Sequence, residues 1–106
     1  MFSLPARRRR RVGDAGNDRV RPQVRFVRWG IGHDPGRVVV RTGMPISLIF
    51  DRLDSDVATE CVSIPALGRV SMLRVRTRVD LAPCAVGEYE FCSRGGEVRG
   101  MLVVVP

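Results

Sequence analysis

Cys61, Cys84 and Cys92 are the thiols of this chain, and His33 is its one imidazole. Thiolates are soft ligands and imidazole is the commonest nitrogen ligand, so Cys61, Cys92 and His33 form the candidate set for a thiophilic metal. The competing reading of Cys61 and Cys92 is structural: free cysteine commonly serves as a small, buried apolar residue. Cys84 follows Pro83 in a loop and reads as incidental. His33 follows Gly32 at a turn and reads as a ring covering one end of the fold. Met44, Met72 and Met101 are spread over three elements; Met101 comes directly after Gly100, opens the last strand and reads as core. Catalysis finds no support. Ser, His and Asp occur without a nucleophile-elbow context, and there is neither a phosphate-cradling glycine loop nor a helix with paired histidines. The chain is not expected to be an enzyme.

The other chemically distinctive group is the run Arg7, Arg8, Arg9, Arg10 and Arg11. It can contact phosphate electrostatically, on nucleic acid or on an acidic surface, and in a salt-sensitive way. Only Phe2 lies close enough to add stacking to those charges, so a solvated tail is the competing reading. The net charge is +7, all 18 basic residues are arginine, and subtracting the five of the run leaves 13 against 11 acidic residues. The remainder is thus near neutral, and the excess sits in the arm. An odd number of cysteines allows at most one internal disulfide and favours a reducing compartment. No apolar run approaches the ~20 residues of a membrane span, and the start as written carries no signal-peptide core. A cytoplasmic location is therefore expected.

These residues need a frame to hold them. The 106 residues suffice for one domain with a small core, and the 44% apolar content fits a folded chain. Residues 1–22 offer almost nothing apolar to bury and read as a flexible arginine-rich arm. From residue 23 a period of two takes over, the mark of strands. In residues 23–29, Val24 and Phe26 share one face, Val27 and Trp29 the other. Short strands follow at 37–41 and 46–52, each bounded by Gly, Pro or Asp. Residues 59–64 alternate with Val62 and Ile64 on one face. Residues 74–81 alternate most cleanly, with Val75, Thr77, Val79 and Leu81 inward and Arg74, Arg76 and Arg78 outward. In residues 88–92, Tyr89 and Phe91 point in while Glu88, Glu90 and Cys92 point out; Gly95-Gly96 turns the chain into a final strand over 99–105. If the arginine strand pairs with the glutamate strand, cross-strand ion pairs follow. Seven or eight short strands at this spacing predict an all-β Greek-key sandwich over residues 23–106.

From about Gly30 onward the chain resembles the cupredoxin-like (plastocyanin-like) domains, closest to the small bacterial members associated with copper handling. The resemblance rests on Gly32-His33-Asp34-Pro35, on Val38-Val39-Val40-Arg41-Thr42-Gly43-Met44-Pro45 and on Leu48-Ile49-Phe50-Asp51-Arg52. It continues through Glu60-Cys61-Val62-Ser63-Ile64-Pro65, Gly87-Glu88-Tyr89-Glu90-Phe91 and the valine strand after Gly100. It implies a copper homeostasis or electron-transfer background. It also assigns metal-ligand positions, and these hold Ala58, Ser93, Gly95, Glu97 and Arg99 in this chain. None of these residues suits copper. A blue-copper centre needs two histidines, and one is present. The resemblance therefore implies a non-catalytic accessory domain with an eroded metal site and no expected cofactor. Copper held by Cys61 and Cys92 with His33 is the alternative, and both thiols sit at odd offsets from the relatives' cysteines, which turns them away from the old pocket. A protein partner and nucleic-acid contact through the arm are the remaining alternatives.

Overall fold

The valine-rich alternations pleat into eight strands: β1 (Gln23–Trp29), β2 (Arg37–Arg41), β3 (Ile46–Arg52), β4 (Cys61–Ile64), β5 (Arg69–Met72), β6 (Arg76–Leu81), β7 (Gly87–Cys92) and β8 (Arg99–Val105). These come from a computed structural model, which describes residues 21–106. Arg7 to Arg11 and nearly all of the arm lie outside the described residues. One sheet has the order β1-β3-β6, the other β2-β8-β7-β4-β5. β1 runs parallel to β3 and β2 parallel to β8, while the other neighbours are antiparallel. Two short 3-10 turns, Val57–Thr59 and Pro65–Leu67, flank β4. The second ends on Gly68 at a φ of 61°, left-handed backbone that a side chain disfavours. The fold is an all-β sandwich of eight strands. Among the described residues no helix is long and apolar enough to cross a membrane.

The inner faces meet in one core. Val27, Trp29, Leu48, Phe50, Val79 and Leu81 come from the smaller sheet; Val40, Val62, Ile64, Phe91, Leu102 and Val104 come from the larger. Trp29, Phe50 and Phe91 stack as a triad, with centroids 5.4–5.8 Å apart and Phe50 edge-on to both partners, an arrangement the ring quadrupoles favour. Gly100 makes room for it: a Cβ there would lie 2.5 Å from Phe91 Cζ and 3.0 Å from Pro35 Cγ. The Trp29 Nε1 proton is buried and finds no acceptor among the described residues.

Three expectations need correction. The arginine and glutamate strands do not pair: β6 lies in the smaller sheet and β7 in the larger. Arg76 instead meets Asp51 of β3 at 2.6 Å, Glu88 meets Arg37 at 2.8 Å and Glu90 meets Arg99 at 3.3 Å. Chain order does not fix sheet order, because a sandwich passes strands from layer to layer. Val75 is 81% exposed rather than inward, since β6 begins only at Arg76. Met101 is half-buried on the outer face, because Leu102 next to it takes the core position. β5 had no counterpart in the sequence reading.

Candidate functional site

The β7–β8 loop and the turn before β4 form one end of the sandwich, where the resemblance places a metal. Ser93 occupies a cysteine position there and is 1% exposed. Its hydroxyl accepts the Val98 amide proton at 2.9 Å and donates to the Glu97 carboxylate at 3.3 Å. Its backbone N–H donates to Val98 O, and its carbonyl accepts from Gly96. The loop therefore closes on itself around one side chain.

The other positions that the resemblance assigns to metal ligands are equally engaged. The Glu97 carboxylate folds over Gly95, where a Cβ would meet Oε2 at 2.6 Å. Arg99 folds over Gly96 in the same way, donates from Nε to Gly96 O at 3.1 Å and reaches the Glu90 carboxylate. Ala58 sits in the 3-10 turn and gives its amide proton to the Asp56 side chain at 2.9 Å. Arg94 of the loop pairs with Glu60 at 3.1 Å and so ties the loop to the turn. Hydrogen bonds, with no sulfur or imidazole, fill these positions.

A second polar network stiffens the adjacent corner. The buried Thr59 hydroxyl donates to Asp54 at 2.6 Å and accepts from Arg52 Nε at 3.1 Å. Asp54 also accepts the Ile31 and Asp56 amide protons. The Thr59 hydroxyl, followed by the Ile31 amide, holds the Asp54 carboxyl below the usual carboxylate range. Nothing in the sequence spacing pointed to Thr59, because Asp54 and Arg52 meet it only once the turn has formed.

The sequence-predicted candidates fall in separate places. His33 is exposed, lies beside Gly30 and borders an open cleft with Asp34, Glu97 and Arg99. Cys84 is 9% exposed at the opposite part of the core, and burial raises its thiol pKa. Cys61 and Cys92 are free thiols on neighbouring strands. Ser63 of β4 pairs directly with Cys92 of β7, and Cys61 lies two residues from Ser63. Since Val62, Ile64 and Phe91 fill the inner face, Cys61 and Cys92 both lie on the outer face of the larger sheet. No three side chains among His, Cys, Asp and Glu gather to hold a metal among the described residues.

In sequence, no family model and no curated protein matches the chain. Solved structures do. The metal-binding domain of the Cu(I)-exporting P-type ATPase CopA of Streptococcus pneumoniae, determined with Cu(I), is similar at a TM-score of 0.67 and 17% identity, covering 78% of this chain and 87% of that one. A copper binding protein solved by NMR in its apo form matches at 0.66 and 22% identity, covering 77% and 88%. Reduced auracyanin from Roseiflexus castenholzii matches at 0.51 and 13% identity, covering 76% and 97%. The shared architecture is the cupredoxin-like sandwich.

Proposed function

We propose that this chain is a non-catalytic, cupredoxin-like accessory domain whose loop end has exchanged metal binding for structural closure. The observation that carries this reading is Ser93, buried at a cysteine position of the resemblance and bonded on both sides within its own loop. A metal there would have to displace the Val98 amide and Glu97, and would gain one poor oxygen ligand from Ser93. Catalysis is disfavoured by the scatter of His33, Cys84 and the outward thiols. Addition of Cu(II) is expected to give no intense thiolate-to-copper absorption, and Glu97→Gln and His33→Gln are expected to leave metal affinity unchanged. A stoichiometric blue complex, or an affinity that falls with either variant, overturns the reading.

A second role is favoured by β5. It is an edge strand, and Val70 and Met72 on it are 65% and 60% exposed. An extended peptide of a partner protein can add there as a further strand, with main-chain hydrogen bonds along the edge and apolar side chains over Val70. Pull-down with the intact chain is expected to lose its stoichiometric partner on Val70→Glu; retention of the partner removes this role.

A further inference from the structure

Sulfur-bearing residues share a face of the larger sheet that the loop-end reading does not use. Met72 of β5 is the direct cross-strand partner of Cys61 of β4, so both stand on the same side of the sheet. Ser63 is likewise paired with Cys92 of β7, which makes Cys61 and Cys92 diagonal neighbours on that side. Glu90 pairs with Met101 and Cys92 with Arg99, so Met101 is the next diagonal neighbour, on β8. Four sulfur-bearing residues thus cross four adjacent strands in one stripe, Met72, Cys61, Cys92 and Met101.

We propose that Cys61, Cys92 and Met72 form a Cu(I) site on the outer face of the five-stranded sheet, outside the loop. Diagonal neighbours in a sheet are about 7–8 Å apart at Cα, with Cβ atoms somewhat closer. That is wide for a disulfide, whose Cβ atoms stand about 3.8 Å apart, and both thiols are indeed free. It suits a bridging ion: two metal–sulfur bonds of about 2.3 Å separate the sulfurs by up to about 4.6 Å. Met72 faces Cys61 directly and has the reach to supply a third, neutral sulfur. Soft sulfur donors select Cu(I), and two or three satisfy it. Binding converts two thiols to thiolates, releases two protons and leaves a site of net charge −1. Arg99, the cross-strand partner of Cys92 on the same face, is paired with Glu90, so the two add no net charge beside it. Cys61 is 6% exposed and Cys92 half-buried, so the ion would be shielded, while Met72 at 60% exposure leaves a way in.

The inference is independent of the loop-end reading, and one experiment separates the two. The reduced, full-length protein is titrated with Cu(I) against a chromophoric Cu(I) chelator and followed by amide and Met-methyl NMR. One equivalent is expected to bind, with shifts centred on Cys61, Met72 and Cys92. Cys61→Ser and Cys92→Ser should each weaken binding at least tenfold, and Met72→Leu, which keeps the volume, several-fold. Absence of competitive binding by the unaltered chain, or binding unmoved by the cysteine variants, overturns the site. Because the unaltered chain reports through its own shifts, a misfolded variant does not decide the matter. Shifts centred on Glu97 and Val98 would instead place the ion in the loop, overturning this proposal and the loop-end reading together.

Discussion

Ser93 accepts one hydrogen bond and donates another, and both partners belong to its own loop. Replacing it by alanine strands the buried Val98 amide, so Ser93→Ala is expected to destabilise the fold by about 1–3 kcal/mol in denaturant titration. Gly100 makes a complementary case, in which space rather than bonding is at stake. Its missing Cβ lets Phe91 and Pro35 close over the strand. Gly100→Ala is expected to cost about 1–3 kcal/mol by overpacking, with a change in the near-ultraviolet signal of Trp29, which packs on Phe91. Several features at this scale were legible in the residues: the shared faces of Val27 with Trp29 and of Val62 with Ile64, the inward turn of Phe91 and the outward turn of Cys92 all follow from a period of two. The Ser93–Glu97 lock was not, since hydrogen bonds inside a loop leave no periodic trace.

The corner between β3 and β4 is held by a carboxylate. Asp54 joins the Ile31 amide after β1 to the Thr59 hydroxyl before β4. Its folded pKa is depressed by those donors. The stabilisation is therefore complete above the unfolded carboxylate value of about 4 and fades as the pH drops below it through the folded value. Asp80, bonded to the buried Ser47 hydroxyl at 2.6 Å and to Arg78, is depressed in the same direction. The denaturation midpoint should thus change little from pH 8 to 6 and fall steeply under about pH 4; Asp54→Asn should lower the plateau and flatten the acid limb. A variant whose acid limb matches that of the unaltered chain would remove Asp54 from this role. β1, β2 and β3 were legible to the residue: β1 and β2 set buried residues against exposed ones, and β3 is a largely buried apolar run set off by Pro45 and Asp54. β5 was not: Arg69–Met72 has no fully buried residue, so it carries no core-facing alternation to read. The pairing of β6 was missed for a different reason, since its ion-pair partner Asp51 is remote in sequence and its neighbours along the chain belong to the other layer.

Across the whole chain, the net positive charge is concentrated in one short stretch of sequence. Five of the 18 arginines stand in the run at residues 7–11, and many of those on the sandwich are paired with carboxylates. If the arm makes the contacts to polyanions, deleting residues 1–12 abolishes retention on heparin at low salt while leaving the thermal midpoint unchanged. Retention that survives the deletion would place the contact on the sandwich. Sheet connectivity has its own reach at this scale. β8 lies between β2 and β7, so it supplies neighbours to both halves of the larger sheet. Removing residues 99–106 is expected to abolish cooperative unfolding altogether, because β8 is the one strand that pairs with β2 among the described residues. The same connectivity governs the order of events during biosynthesis. Residues 37–41 are made before residues 99–105, and until then β2 lacks the strand it pairs with. The edge of β2 therefore stays unpaired until β8 has followed it, and long-range pairing of this kind slows folding and leaves a strand edge open to aggregation meanwhile.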